Sequence, residues 1–255
     1  MKKIILILFF IFSSGLAIAQ TTNVTYSREG SLLNKPMYDE ANLYFNDTVS
    51  VFSYARQTPE NAEISIQIST GAVKKIKNPD DHIGTYQYIN YNKQKLFERR
   101  NIRRNYFIIK ENLDELDWQL LDSTKQITGY TCQLATTKCY GRKFFAWYTV
   151  AIPSDKGPWK LCGLPGLILH AYDEAKKLEW KATKLKFDFD FDFNVFLHNE
   201  EQITLAKYYE IEKENFQKRK RKLEALAAQM GGSVAIKKIH EEDIELSKTR
   251  IKKTK

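Results

Sequence analysis

The chain has 255 residues, of which 43% are hydrophobic, and a formal net charge of +9. This length fits one domain with a sizeable core, alone or with an appendage. The apolar run at residues 4–12 is too short to span a membrane, since a spanning helix needs about 20 residues, and no later run approaches that length. The basic charge would suit anionic lipid, lipopolysaccharide or cell-wall polymer, although it could equally serve solubility.

The N-terminus has the three parts of a secretory signal peptide. Lys2 and Lys3 precede the apolar run, and Ala17-Ile18-Ala19 supplies small residues where cleavage would occur. We therefore expect residues 1–19 to be removed and the protein to be exported to the periplasm without a remaining transmembrane span. Export makes nucleic acid a poor candidate as a partner. A buried N-terminal helix is the alternative interpretation.

Most of the mature chain has the patterns of β-strands. Between residues 20 and 60, short pieces rich in Tyr, Val and Phe alternate with polar turn residues. Further strands are indicated at 64–68, 86–91, 106–109, 118–121, 167–172 and 178–182. The sequence therefore predicts a mainly β protein with a C-terminal helix, in the α+β class.

One predicted hairpin limits how the three cysteines can pair. Its strands would be Gly129–Thr137 and Lys143–Val150, with Gly141 at the turn. Cys132 and Cys139 would then lie on one strand, about 20 Å apart and on opposite faces, which is too far for a disulfide bond. We therefore expect Cys132 to pair with Cys162, which leaves one thiol over.

Residues 157–169 concentrate the residue types that shape a backbone. They include three of the eleven glycines and two of the six prolines of the chain. This combination indicates a loop of fixed shape that leads into a strand starting at Leu167. The structural residues of this loop are Gly157, Pro158, Gly163 and Gly166. The candidate rim for a ligand or partner consists of Trp147, Trp159, Leu164 and Pro165.

Residues 187–193 alternate phenylalanine with aspartate without interruption. This period of two predicts a strand with four phenylalanines toward the core and three aspartates toward solvent. The aspartates could form a Ca²⁺-binding ladder, but same-face residues lie about 6–7 Å apart and an oxygen cage also needs loop ligands. We therefore interpret them as a solvated face and expect no metal site.

The pattern becomes helical near residue 200. Tyr209, Phe216, Leu223 and Met230 recur every seven residues, which indicates an amphipathic helix that ends at Gly231-Gly232. The basic run 218–222 could contact anionic lipid headgroups or form a solvated face. The expected organisation is a signal peptide (1–19), a β-rich domain (20–199), the helix (200–232) and a charged tail (233–255).

The central block carries a set of motifs in a fixed order. They are Gly129-Tyr130-Thr131-Cys132, Gly141-Arg142, Ala146-Trp147-Tyr148-Thr149, Ile152-Pro153, Gly157-Pro158-Trp159 and Gly163-Leu164-Pro165-Gly166-Leu167-Ile168-Leu169. This block resembles the GLPGLI family of exported Bacteroidetes proteins, closely over about residues 105–172 and loosely elsewhere. His170 departs from the family, in which an acidic residue is common there. The family has no assigned biochemical function, so the resemblance implies no catalytic residues.

The strand-rich body is also loosely similar to periplasmic half-barrels that carry lipoproteins or sense lipids. This similarity implies a curved antiparallel sheet, which could close as far as a half-barrel around an apolar cavity. It is an analogy of fold and does not determine the function.

The sequence has no clear motif for catalysis or for a cofactor. It lacks GxSxG, Walker and Rossmann patterns, and Pro165 removes an amide that a phosphate cradle would use. Cys139 or Cys162 could act with His170 as a nucleophile and base, although a disulfide and an ordinary histidine would explain the same residues. The cysteine and histidine spacing matches no zinc site.

We therefore expect a non-enzymatic, exported binding or carrier module of the cell envelope that uses no cofactor. Its ligand would be apolar or lipid-like. The alternative is a protein-interaction or scaffold module for an outer-membrane partner, and a Cys–His hydrolase is a more remote one. The sequence leaves the identity of the ligand or partner unknown.

Overall fold

The structure is a computed structural model that describes residues 21–32, 35–54, 64–67, 73–76, 84–102, 105–196 and 200–229. The expected signal peptide and charged tail lie outside the described residues. The strands are β1 (Thr22–Leu32), β2 (Lys35–Phe45), β3 (Val49–Tyr54), β4 (Ile64–Gln67), β5 (Val73–Ile76), β6 (Tyr86–Asn90), β7 (Lys95–Ile102), β8 (Asn105–Asn112), β9 (Gln119–Ile127), β10 (Tyr130–Cys139), β11 (Arg142–Thr149), β12 (Leu167–Asp173), β13 (Leu178–Lys186) and β14 (Glu201–Ile203). A 3-10 helix covers Phe193–Phe196, and α1 covers Leu205–Gln229.

Twelve of these strands form a single sheet. Their order is β14-β8-β7-β6-β3-β2-β1-β13-β12-β11-β10-β9, while β4 and β5 form a separate pair. Neighbouring strands run antiparallel, except that β14 is parallel to β8. Because most neighbours in the sheet are also consecutive in the chain, most connections are short hairpins.

The connection between β8 and β9 requires this sheet to curl. The two strands are ten positions apart in the sheet, which is about 48 Å at about 4.8 Å per position if the sheet is flat. Only residues 113–118 connect them, and seven residue steps reach at most about 25 Å. The two ends of the sheet are therefore brought together. We call the concave side the inner face and the opposite side the outer face.

Different segments cover the two faces. The inner face is covered by residues 150–166, which we call the crossing loop, and by the start of α1, where Tyr208 is buried against Ile102 and Phe107. On the outer face, residues 187–196 cover the half that contains β2, β3, β6 and β8, and the Phe191 ring stacks on Tyr44 with centroids 3.9 Å apart. A single sheet thus acquires a core on both sides.

The predicted fold class is confirmed, since the protein is mainly β with one C-terminal helix and an open, curved sheet. The predicted hairpin is the β10–β11 pair. Its turn residues Tyr140 and Gly141 have φ values of 51° and 70°, as a tight two-residue turn requires. Strand β7 was not predicted, because the polar sequence Glu98-Arg99-Arg100-Asn101 interrupts its alternation.

The predicted strand at 187–193 is wrong. Strand β13 ends at Lys186, and Asp188 has a φ of 56°, which turns the chain away from the sheet. The alternation of burial was predicted correctly for Phe189, Phe191 and Phe193, which are half-buried, but Phe187 is 50% exposed. The aspartates are exposed, and the described residues contain no cluster of three or more side chains suited to a metal. The alternation of phenylalanine and aspartate therefore belongs to an irregular segment that packs across the sheet and not to a strand.

Helix α1 lies within the predicted range 200–232 but starts later, because residues 201–203 form β14. Its fully packed residue is Tyr208, which is 5% exposed, whereas the predicted Tyr209 is half-buried. Leu223 is 38% exposed, and Met230 lies outside the described residues. In the part of the chain that the structure describes, no helix is both long and apolar enough to cross a membrane.

The predicted Cys132–Cys162 disulfide is wrong, because none of the three cysteines forms a disulfide bond. Cys132 lies in the main core, where its Sγ donates to the Tyr130 carbonyl oxygen at 3.6 Å. Cys162 lies in the crossing loop beside Asp155. Burial raises the pKa of Cys132 to about 11 and that of Cys162 to about 12, so both are thiols at neutral pH.

We expect the native protein to react with iodoacetamide first at Cys139, because its side chain is half-buried whereas Cys132 and Cys162 are buried. After unfolding without a reductant, all three residues should be alkylated. Peptide mass mapping measures both steps. A Cys132–Cys162 peptide pair that appears only without reductant would contradict the structure.

Candidate functional site

The crossing loop follows a fixed path over the inner face. The Gly163 amide donates to the Asp155 carbonyl oxygen at 2.8 Å, which closes the loop on itself. Leu161 and Leu164 are each 1% exposed and fill the core beneath it. The loop therefore forms a packed layer on the sheet, as the concentration of glycine and proline predicts.

Two glycines of the loop are required by close packing and one by its backbone angle. A Cβ at Gly166 would lie 2.2 Å from the Thr149 carbonyl oxygen, and a Cβ at Gly157 would lie 2.6 Å from the Leu161 carbonyl oxygen. A Cβ at Gly163 would make only an ordinary contact, 3.9 Å from Trp118 Nε1, but its φ of +92° is one that other residues rarely adopt. The loop thus needs glycine at these positions for its shape.

Trp159 joins the loop to an aromatic layer that consists of Tyr140, Phe144, Trp159 and Trp180. The Trp159 ring lies 5.9 Å from Trp180, 5.6 Å from Phe144 and 4.8 Å from Tyr140, centroid to centroid. Trp159 itself has a φ of 58°, an unfavourable angle for a large residue. Packing against three rings compensates for this strain and holds the indole in place.

The next residue, Lys160, ties the loop to the far half of the sheet. Its side chain is only 2% exposed, and its Nζ lies 2.7 Å from Glu98 Oε2 on β7 and 3.4 Å from Glu111 Oε2 on β8. The other Glu98 oxygen, Oε1, lies 2.9 Å from Nε of Arg100. We call these four residues the buried ion cluster. Since β7 is six positions from β12 in the sheet, this contact spans the curl.

The cluster keeps its central carboxylate ionised. Burial by itself raises the pKa of Glu98, but Arg100 and Lys160 outweigh it and hold the pKa well below its ordinary value. Burial likewise lowers the pKa of Arg100, and the Glu98 charge reverses this effect and raises it. Glu98 is therefore charged throughout the physiological pH range.

At one end of the inner face the side chains are only half-buried. Strands β1, β3 and β7 end there and β13 begins there, because neighbouring strands alternate in direction. The Arg28 guanidinium lies 4.6 Å from the centre of the Tyr54 ring, and burial raises the pKa of Tyr54 to about 12. We call this region the opening; its residues are Arg28, Tyr54, Arg100, Tyr140, Trp159 and Leu178.

The structure separates the four candidate rim residues. Trp159 lies at the opening on the inner face, and Leu164 is buried in the core rather than at a rim. Pro165 is exposed. Trp147 points to the outer face, where the Lys125 ammonium lies 4.2 Å from its ring centre. A ligand that touched Trp159 on the inner face would therefore not touch Trp147.

Sequence reasoning missed the buried ion cluster. Glu98 and Arg100 belong to the unpredicted strand β7, and Lys160 is one of two lysines in the crossing loop. Their pairing joins residues 62 positions apart in the chain, so no local pattern reveals it. A charged residue inside a glycine- and proline-rich loop was the one available signal.

His170 belongs to a second polar group on the outer face. Its Nδ1 lies 2.8 Å from Lys125 Nζ, and its Nε2 lies 2.7 Å from Glu179 Oε1. Burial, partly offset by the bond to Glu179, lowers the pKa of His170. Both ring nitrogens are engaged, so neither is available to activate Cys139 or Cys162. The geometry thus does not support a Cys–His pair.

Comparison with protein families places one match on the crossing loop. A family model described as "Protein of unknown function (Porph_ging)" matches residues 140–170, which run from the β10–β11 turn through the crossing loop into β12. No curated protein matches the chain. The match thus covers Tyr140, Phe144 and Trp159 of the aromatic layer but not Trp180. It also covers Lys160 but not its partners on β7 and β8.

The solved structures of PNGF-II share the fold with this chain. PNGF-II, in two crystal forms, aligns with TM-scores of 0.52 and 0.53 at 17% identity, over 75% of this chain. The chain spans about a third of PNGF-II, since the alignment covers 32% and 33% of its length. A domain from Vibrio parahaemolyticus assigned as an outer membrane lipoprotein-sorting protein aligns at a TM-score of 0.33 and 8% identity, over 69% of this chain and 88% of that one. That third similarity is too distant to inform fold or function.

Breaking the buried ion cluster should destabilise the protein. We expect Lys160→Met to lower the free energy of unfolding by about 3 kcal/mol, because it removes one partner of a buried charge. The matched control is Lys143→Met, since the Lys143–Glu174 pair is longer, at 3.6 Å, and exposed; it should cost less than about 1 kcal/mol. Urea unfolding measures both, and equal losses would contradict the assigned role.

The same cluster predicts a pH dependence. The folded-state pKa of Glu98 is lowered, so its contribution is complete above its unfolded pKa of about 4.3 and is lost as the pH falls below that value. The stability advantage of the wild type over Glu98→Gln should therefore be constant near neutral pH and shrink in acid. This comparison uses the same urea titrations at a series of pH values.

The glycines of the crossing loop should differ in their tolerance of alanine. Gly166→Ala should lower the melting temperature most, because its Cβ would overlap the Thr149 backbone. Gly163→Ala should cost about 1 kcal/mol for its backbone angle alone. Gly129→Ala is the control, with a φ of +85° and nothing within 4 Å of the added Cβ. Calorimetry that ranked Gly166→Ala level with Gly129→Ala would refute the packing argument.

Proposed function

We propose that the protein is an exported, non-enzymatic binding or carrier module of the cell envelope and a member of the GLPGLI family. Its ligand is apolar or lipid-like and enters at the opening. The observation that carries the proposal is the position of Trp159, which stacks on the buried Trp180 yet stays half-buried at the opening. The family match at residues 140–170 supports it, because that segment contains the loop that positions Trp159.

The chemistry of the opening supports an amphiphilic ligand. The aromatic layer offers a broad apolar surface against which an alkyl chain can pack. The guanidinium groups of Arg28 and Arg100 lie at the other side of the opening and suit a carboxylate or phosphate head. The Tyr54 hydroxyl, whose pKa burial raises to about 12, is protonated and can donate a hydrogen bond to a ligand between the aromatic layer and the guanidinium groups. The ligand head would thus lie toward α1 and its tail toward the crossing loop.

The similarity to PNGF-II supports the description as a module. About a third of that longer chain has the same fold, so this sheet occurs as one part of a larger protein. A sequence identity of 17% carries the fold only, and the activity of PNGF-II is not transferred.

The second candidate function is that of a protein-interaction or scaffold module for an outer-membrane partner. It is favoured by β9, an edge strand of the sheet whose residue Leu120 is 52% exposed. An exposed edge can add a strand from another protein. Trp147 lies on the outer face of the same region and would contribute to such a contact.

We expect N-phenyl-1-naphthylamine, an apolar fluorescent probe, to bind the protein and to be displaced by oleate. Trp159→Ala should weaken probe binding by about tenfold, because it removes the exposed side of the aromatic layer. Leu178→Glu, which places a charge at the opening, should weaken probe binding similarly. This second variant tests the same site if Trp159→Ala proves to have a folding defect. Fluorescence titration measures all three affinities.

The matched control is Trp147→Ala, which removes an indole of the same size from the outer face. It should leave probe binding unchanged. If Trp147→Ala lost binding and both opening variants kept it, the inner-face site would be wrong. If the wild type bound no probe but retained an outer-membrane protein on purification, the scaffold function would replace the carrier function.

A further inference from the structure

The second half of α1 extends away from the sheet. The helix has 25 residues and is about 37 Å long. Its packed side chains, Leu205, Tyr208, Tyr209 and Ile211, all lie in the first two turns. Further along, contacts are made within the helix, as between Lys220 and Glu224 at 3.8 Å and between Arg219 and the Phe216 ring at 6.0 Å. As far as the described residues are concerned, this half is therefore available for contact with a partner.

The available half has a strong positive charge. Residues 212–224 contain six cationic and three anionic residues, and the basic run 218–222 is uninterrupted. Five consecutive residues cover more than a full helical turn, so positive charge surrounds the helix there. A cationic surface of this kind complements an anionic one and repels cationic partners.

Two apolar side chains lie within this cationic half. Phe216 and Leu223 are seven residues apart and so project from the same side, two turns from each other. Phe216 is half-buried, and Leu223 is one of the large hydrophobic residues exposed in the described chain, at 38%. Apolar side chains flanked by lysine and arginine are typical of helices that lie in a membrane interface.

We propose that residues 212–229 of α1 dock on the surface of a bilayer that contains anionic phospholipids. The lysines and arginines of the basic run contact the phosphate headgroups, and Phe216 and Leu223 enter the boundary below them. The helix lies on the membrane and does not cross it. This surface is distinct from the opening and does not depend on the ligand proposed above.

Docking would also orient the opening. The first turns of α1 line it, since the Arg100 guanidinium lies 5.5 Å from the centre of the Tyr208 ring. A helix held on the membrane therefore keeps the opening close to the lipid surface. Only this consequence rests on the proposed carrier function.

The test is flotation of the full chain with vesicles of phosphatidylcholine alone or mixed with phosphatidylglycerol. The wild type should bind only the mixed vesicles, and more weakly at high salt. The triple variant Lys218→Gln, Lys220→Gln and Lys222→Gln should bind them at least about tenfold more weakly. A control triple variant, Lys93→Gln, Lys138→Gln and Lys184→Gln, removes the same charge from exposed positions elsewhere and should bind like the wild type.

A second variant separates lipid from other polyanions. Phe216→Ser combined with Leu223→Ser should weaken vesicle binding but not binding to soluble polyglutamate. Equal binding to neutral vesicles, or wild-type binding by the basic-run variant, would overturn the proposal. So would unchanged vesicle binding by the serine variant, which would identify a site for acidic polymers or proteins instead. Binding of N-phenyl-1-naphthylamine should be unaffected in every variant. A failure of the membrane-docking proposal would therefore leave the carrier proposal standing, and a failure of the carrier proposal would leave the docking proposal standing.

Discussion

The carboxylate of Glu98 is the point at which the main parts of the structure meet. It lies on β7 and binds Lys160 of the crossing loop through one oxygen and Arg100 through the other. Arg100 in turn lies over Tyr208 at the start of α1. A lysine that is 2% exposed is tolerated only when its charge is paired. The position of the loop, the curl of the sheet and the placement of the helix therefore depend on one another.

The curl explains how a single sheet can enclose a core without a second sheet. The short connection between β8 and β9 draws the two ends together, and the Trp118 indole in that connection donates to the Cys162 carbonyl oxygen at 2.8 Å. The crossing loop is thus held from both ends of the sheet. The loop fills the middle of the inner face with Leu161 and Leu164, and the half-buried side chains, Trp159 among them, lie at one end of that face.

The sequence was informative where the physics is local. Periods of two identified most strands, and the glycines and prolines of residues 157–166 identified a shaped loop, because backbone angles depend on the residue itself. Prediction from the sequence failed where the interacting residues are far apart in the chain. Strand β7 was not predicted because charged residues interrupt its alternation, so nothing in the sequence indicated a role for Glu98. The Cys132–Cys162 disulfide was inferred only because the hairpin excluded a Cys132–Cys139 pair, and the sequence does not show which residues lie near Cys162. The Phe–Asp repeat did not predict a strand correctly, because a segment that packs across the face of a sheet shows the same alternation as a strand paired within one.

Trp147 and Trp159 show that the face on which a side chain lies matters more than its proximity in sequence. Trp147 and Trp159 are twelve residues apart and both are half-buried, yet the curl puts one outside and the other inside. Lys125 lies over Trp147, so that indole contacts a cation on the outer face. Trp159 instead contacts other rings on the inner face. The proposed apolar ligand would therefore contact Trp159 on the inner face and not Trp147.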